Sequence, residues 1–402
     1  MSIARSPRDA TLRSAETSMA NDGGASVDTF AHVSELPADA LALMRRAEQQ
    51  HIEFGPDWFA HLIDAVYARE PDAHQVRLQV LRNDGRVLAV LPTVAQTGAV
   101  GREISALSNF YTAIYAPALA EGLQAEDLLP VVRAMRRAGA GAAAYRFAPM
   151  DPASREFTLL KRALGLSGLS VHGYFAFGNW YQPVRQHWAD YLKDRSSQVR
   201  NTIKRNARTF AAEGGRLELV RDSERLEAGI AAYQAVYAQS WKVPEPYPDF
   251  VPGLIRLCAR RGWLRLGVAW LGDKPVAAQI WIVANGRADI FKLAYDEAYK
   301  ALAPGTLLTA LLMEHAIDVD RVSEIDYLIG DDAYKAAWMS QRRERCGLVA
   351  YDPLTLRGLL GLARQTAGAI RRRLRPQAAP RPDNPAADSK AIPRDASPRP
   401  AA

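Results

Sequence analysis

Two successive stretches of this 402-residue chain spell the same order of elements. The sequence therefore predicts an α/β (α+β) protein of tandem domains, each a mixed, mostly antiparallel sheet flanked by helices. Three observations carry that prediction. Both stretches contain apolar runs joined by turn sequences of the hairpin type, "NDGR" in the first, "LGDKP" and "NGRA" in the second. Each then continues with a third strand, a helix, a strand, a helix and a last strand. With 48% hydrophobic residues there is enough apolar side chain to fill two cores.

Taken in order, helical periodicity covers about 38–50 and 57–69. "VRLQVLR" and "VLAVLPTVA" flank the Asp-Gly turn, and "EISALSN" supplies a third strand. A helix near 125–138, strand "AAYRFA", a helix near 153–165 and strand "SVHGYFAF" complete the first set. The second set opens with helices over about 187–213, 223–241 and 248–261. It continues through "WLRLGVAW", "VAAQIWIVA" and "DIFKLA" to a helix over 305–319, strand "SEIDYLI", a helix over 331–341 and strand "CGLVAYD". This implies a disordered leader over 1–29, domains over 30–180 and 181–355, a basic amphipathic helix over 356–375 and a disordered Pro/Ala/Arg-rich tail over 376–402.

Composition excludes several classes of function. The two cysteines, Cys258 and Cys346, and seven scattered histidines offer neither a disulfide framework nor metal-ligand spacing, so no metal is expected. No apolar run approaches the roughly 20 residues that span a bilayer, and the first residues lack an apolar signal core. A cytoplasmic protein is expected. The net charge of +7 resides in residues 353–402, which hold ten Lys/Arg against three Asp, and the remainder is balanced. A neutral body argues against duplex nucleic acid as a partner.

Three stretches carry residues able to do chemistry. In "APGTLL", Pro304 suits the first helical position, Gly305 permits close backbone approach, and Thr306 and Leu307 continue the first turn. Free N–H groups at such a helix start favour an anion. In "IDYLIGDDAYKAAW", Asp326 lies on the strand face opposite Ile325 and Tyr327. Asp331 or Asp332 can cap the helix that bears Tyr334, Lys335 and Trp338. In "SQVRNTIKRNARTF", Arg200, Lys204 and Arg208 recur at four-residue spacing, with Arg205 beside them and no acid between 195 and 208. The plain readings are a helix start, a capped helix with packed aromatics, and a solvated basic face.

Together, "SSQVRNTIKRNARTFAAEGG", "KLAYDEAYKALAPGTLL" and "IDYLIGDDAYKAAW" resemble the Fem-like, cellulose-biosynthesis-associated acetyltransferase branch of the GNAT superfamily, over roughly residues 30–355. The resemblance implies a tandem GNAT fold with a degenerate donor site in the first domain. It implies an N- or O-acyltransferase using acetyl-CoA or another acyl-CoA as co-substrate. The donor pyrophosphate would sit at Pro304–Leu307, although this chain keeps a single glycine of the usual loop. Asp326 or Asp331 would be the base, with Asp332 or water as the alternatives. Tyr334 or a water would protonate the leaving thiolate, and Lys335 would hold an anionic group on donor or acceptor. The resemblance further implies substrate contacts from Arg200, Lys204, Arg205, Tyr295 and Trp338, and from Asn109 and Tyr111 of "SNFYTAIYAP", where Tyr115 is a further candidate. A small-molecule or lipid-linked glycan acceptor of polysaccharide or envelope biosynthesis is expected. Aminoacyl-tRNA as donor, or a silent scaffold of polysaccharide machinery, are the alternatives. The stripe Leu356, Leu359, Leu360, Ala363, Ala367, Ile370 and Leu374, flanked by six arginines, suits peripheral contact with an anionic membrane at its inner face through 354–375. A last helix packed on the domain is the alternative.

Overall fold

The structure, a computed structural model, describes residues 18–374 apart from 23, 99, 100, 140, 222 and 223, with side chains described between 24 and 365. Strands of the first half are β1 (Ser18–Asp22), β2 (Ala25–Phe30), β3 (Gln75–Asn83), β4 (Arg86–Gly98), β5 (Gly101–Ala106), β6 (Ala118–Leu119), β7 (Ala144–Met150) and β8 (Ser170–Pro183). Those of the second are β9 (Gly215–Val220), β10 (Leu264–Leu271), β11 (Lys274–Ala284), β12 (Arg287–Tyr295), β13 (Glu324–Asp326) and β14 (Gln341–Tyr351). The helices are α1 (Ala38–Glu48), α2 (Pro56–Ala65), α3 (Leu129–Ala138), α4 (Arg155–Leu166), α5 (Trp188–Lys193), α6 (Ser197–Ala212), α7 (Leu226–Ala238), α8 (Phe250–Arg260), α9 (Pro304–Glu314), α10 (Ala333–Ala336) and α11 (Leu356–Leu374).

All the strands join one mixed sheet in the order β1-β2-β3-β4-β5-β7-β14-β8-β13-β12-β11-β10-β9, with β6 on the flank of β4. Hairpin neighbours are antiparallel, while β5–β7 and β12–β13 are parallel because a helix crosses between them. Each half's last strand lies beside a strand of the other half: β8 pairs with β13, β14 pairs with β7, and the two pair with each other. The boundary expected at 180/181 thus falls within β8, whose length binds the halves into one sheet.

Alternation along β11 shows how the core is divided. Ala278, Ile280 and Ile282 face the cluster built on α2, α7 and α8, while Ala277 and Trp281 face the one built on α9. A register shift between Ile280 and Trp281 leaves Phe291 as an extra residue in β12, a bulge at mid-strand.

Several expected boundaries move. Strands β1 and β2 occupy part of the expected leader; their hairpin is set by Gly24, with φ of 82°, and β2 pairs with β3. The helix expected over 187–213 is two, because Ser196 caps a new start by accepting from Val199 N–H. The helix expected over 331–341 shrinks to Ala333–Ala336, since β14 begins at Gln341 to follow β8 over its length. Helix α11 matches the expected 356–375 closely; the expected tail lies outside the described residues.

Candidate active site

Strands β12 and β13 pair only from Arg287↔Glu324 to Asp289↔Asp326. Beyond that point β12 runs on to Tyr295 while β13 ends, so the sheet opens as a V. The chain from β12 returns through Ala303, held left-handed at φ 51°, into α9, with Pro304 in its first turn. No side chain caps this helix. The first-turn N–H groups of Gly305 and Thr306 therefore have no intrahelical acceptor and can meet an anion. The sheet fixes that helix start from below. The Gln279 amide donates to the Gly305 carbonyl at 2.9 Å and to Thr309 Oγ1 at 2.7 Å, and its own oxygen accepts from the Trp281 indole at 3.0 Å. Pro304 and Leu307 are buried, so they contribute backbone and packing, whereas Gly305 and Thr306 remain partly accessible.

At the end of β13 the chain makes a tight left-handed turn at Leu328, φ 55°, followed by Gly330 at φ 102°. Asp326 enforces it. The carboxylate accepts from Leu328 N–H at 2.6 Å and from the Asn179 amide, which also donates to the Leu328 carbonyl at 2.8 Å. The other oxygen accepts from Arg287 at 3.0 Å and from Arg343. Fully buried, Asp326 would be expected to have a raised pKa, yet Arg343, Arg287 and Asn179 together hold it below the usual carboxylate range. The expectation that burial supplies a raised pKa here is thus reversed by two guanidinium groups. Around it stand three guanidiniums (Arg287, Arg343, Arg345) and two further carboxylates (Asp289, Glu324), joined to the first half through His51, 3.5 Å from Asp289. Glu53, which accepts from the N–H groups of Ala113 and Ile114, closes the same junction from the first half.

The rest of the "GDDAYKAAW" stretch divides between support and exposure. Asp331 chelates the Arg342 guanidinium at 2.9 and 2.6 Å, which lowers its pKa. Asp332 is the residue before α10, but it makes no capping bond; its carboxylate instead lies 3.0 Å from Lys335 Nζ. Lys335, buried rather than open to solvent, also donates to the carbonyls of Ile329 and Gly330. It is a clamp on the turn, not a free group awaiting an anion. Trp338 is likewise buried in the α9-side core, its carbonyl accepting from Arg195 and Tyr191, so it has no surface to offer a substrate. Tyr334 leaves 47% of its surface exposed, with its ring set edge-on to Tyr327. Burial of its hydroxyl raises the pKa well above the ordinary value and keeps the phenol protonated.

Residues 197–336 match the family described as "Acetyltransferase (GNAT) domain". This part of the chain is a GNAT acetyltransferase domain. It begins with α6 and ends with α10, and so contains both the α9 start and the turn after β13. GNAT domains generally use acyl-CoA as co-substrate. The crystal structure of FemX shares the fold: 11% identity, TM-score 0.50, covering 73% of this chain and 91% of that one. A tandem GNAT protein from the clavulanic acid biosynthesis pathway aligns at 12% identity and TM-score 0.46, over 82% and 99%. L-PGS from Bacillus licheniformis aligns at 11% identity and TM-score 0.44, over 77% and 96%. No curated protein matches.

The GNAT domain places the other sequence-predicted residues on two sides. Arg200, Lys204, Arg205 and Arg208 are solvent-exposed on α6, which packs against α9 through Val199, Asn206 and Phe210. The Asn206 amide donates to the Ala301 carbonyl at 3.0 Å, tying α6 to the turn before Pro304. The basic face therefore borders the helix start. On the other side, Tyr111 donates to Glu245 at 2.6 Å and stacks on Phe250 at 3.9 Å. Asn109 accepts from Tyr111 N–H and shapes that loop. Tyr115 is core, donating to the Pro92 carbonyl. Tyr295 sits where Gly305 approaches β12, with Trp241 4.8 Å from its ring.

Sequence reasoning missed the loop between α7 and α8. "SWKVPEPYPD" brings Trp241 to the Tyr295 ring and Glu245 within 2.7 Å of Lys292, which lies beside the β12 bulge. Three prolines in ten residues were the available signal, since they stop both helices and stiffen the span between them. Among the described residues, no group of His, Cys, Asp and Glu is arranged to hold a metal, and no helix is long and apolar enough to cross a membrane.

Proposed function

We propose that the chain transfers an acyl group from acyl-CoA to an amine or hydroxyl of a glycan, glycolipid or cell-envelope precursor. The single observation behind this reading is the uncapped start of α9 at the mouth of the V between β12 and β13. Gly305 and Thr306 would hold the donor's pyrophosphate through backbone N–H groups, with the α6 arginines and lysine supplying positive potential alongside. The thioester carbonyl would then lie between β12 and Tyr334. An acceptor nucleophile attacks that carbon, the C–S bond breaks, and the thiolate takes a proton from Tyr334. Asp326 and Asp331 are held ionised by arginines, so they position the turn and the strand end. Proton acceptance from the nucleophile falls to water in the cleft. Calorimetric titration with coenzyme A and acetyl-CoA is the test. Saturable binding is expected, and its absence would favour aminoacyl-tRNA as donor or a silent scaffold.

The same reading puts the enzyme on an anionic membrane surface through α11. Leu354, Leu356, Leu359 and Leu360 are 89%, 82%, 47% and 63% exposed. The helix meets the body through Gly358 and Gly361, where an added side chain would strike the Asp352 carbonyl and the Tyr351 ring. These four leucines thus face outward in a segment rich in arginine, the composition of a helix lying in a lipid interface. In flotation with phosphatidylglycerol vesicles the full chain is expected to rise with the lipid and a 1–352 truncation to stay behind. Equal recovery of the two would end this proposal.

A further inference from the structure

Lys242 has four charged neighbours near the β12 bulge and α10, so five ionisable side chains gather there: Lys242, Lys292 and Lys335, with Glu245 and Asp332. Two pairs close among them. Lys292 Nζ lies 2.7 Å from Glu245 Oε1, and Lys335 Nζ lies 3.0 Å from Asp332 Oδ2. Glu245 is occupied further by the Tyr111 hydroxyl, and Lys335 by two turn carbonyls. Lys242 is left over. Among the described residues no carboxylate or carbonyl meets its Nζ, which lies 5.9 Å from the ring centres of both Trp241 and Tyr237.

A long flexible side chain on an open surface would leave such a charge to water at no cost. Lys242 is only partly exposed, and it stands on a loop stiffened by Pro244, Pro246 and Pro248 and pinned to the first half through Glu245 and Tyr111. Burial and the neighbouring Lys292 push its pKa down to about 8, so the folded protein holds this ammonium in an unfavourable place. An ammonium taken from water recovers most when an anion is brought to it. Its position relative to the donor is also set. Trp241, the preceding residue, packs on Tyr295, and Tyr295 is the wall that Gly305 approaches. Trp241, Val243 and Tyr334 keep exposed apolar surface.

We propose that Lys242 is the anion-binding group of the acceptor site, and that the acceptor carries a carboxylate or phosphate close to its nucleophile. The ligand's anion completes the third ion pair that the protein leaves open. Apolar parts of the acceptor rest on Trp241 and Tyr334. This deepens the acyltransferase reading and rests on it for the word acceptor, although the anion site itself does not require a donor.

The test separates the two. Lysines are reductively methylated with carbon-13, and the Lys242 signal is identified by its loss in Lys242→Arg and Lys242→Met; the arginine variant keeps the charge should the other fail to fold. The signal is titrated with pH in the absence and presence of inorganic phosphate, and separately of acetate. Saturable movement of this signal with anion, and a pKa raised by about one unit or more, are expected. The arm with the larger rise tells phosphate from carboxylate. A Lys242 signal that titrates identically with and without either anion would overturn the proposal. So would acetyl transfer that ran equally well to ethanolamine and to phosphoethanolamine or glycine while rising with an ionisation near pH 8, since Lys242 would then be a base. If anion binding holds and no acyl transfer is found with any acceptor, the subsite stands and the acyltransferase reading falls.

Discussion

Replacing Gly305 with Asp is expected to abolish acyl-CoA binding while leaving the protein as stable as before. The two effects separate because the same dipole acts on both. A carboxylate in the first turn of α9 interacts favourably with the helix start, by about 0.3–1 kcal/mol. At the same point it opposes a pyrophosphate and occupies the N–H groups the donor needs. Sterically the change is mild, since a Cβ at Gly305 would stand 3.5 Å from Tyr295 Cδ1, an ordinary contact. Gly305→Ala is therefore expected to bind within a few-fold of the natural protein. Calorimetry with coenzyme A and a thermal melt of each variant check the result. An aspartate variant that still bound would show that the donor does not use this helix start.

Asp326→Ala should produce the largest loss of stability in the second half. Removing one partner from a buried ion network leaves uncompensated charge, at a cost of about 3–5 kcal/mol. Here two guanidiniums, Arg287 and Arg343, would lose their shared carboxylate, and Leu328 would lose the acceptor that holds its left-handed turn. Urea unfolding is the measurement, and a change below about 1 kcal/mol would mean the network carries little of the fold. The natural protein should show the same dependence through pH. With its folded pKa depressed, Asp326 contributes stability above the unfolded value of about 3.9, and that contribution disappears as pH falls through the folded value. Acid should therefore weaken the natural protein more than Asp326→Ala.

Much of this architecture is legible in the chain because its signals are local. Asp-Gly and Asn-Gly turns set the hairpins, and Pro304-Gly305 marks the start of α9. The roles of the charged residues were less legible, since partners decide them. Asp326 looked like a buried base until Arg287 and Arg343, 39 and 17 residues away, were seen to hold it. Lys335 looked available, but the carbonyls that hold it come from a turn whose shape depends on Asn179, 149 residues before Leu328. Trp338 shares a helical spacing with Tyr334, yet α10 ends too soon for spacing to decide its surroundings. Lys242 and Glu245 went unseen because no periodicity marks a proline-stiffened loop. Their value comes from Tyr111, in the other half of the chain.

The exchange of last strands has a consequence for how this chain can change over generations. Strand β14 lies between β7 and β8, and β8 lies between β14 and β13. Deleting the first half would strip the second of the neighbour that flanks β13, and deleting the end of the second would leave β7 and β8 with bare edges. Neither half can be discarded, whichever of them holds the chemistry. Each half supplies strand neighbours that the other lacks, and a lineage carrying this sheet inherits both or neither.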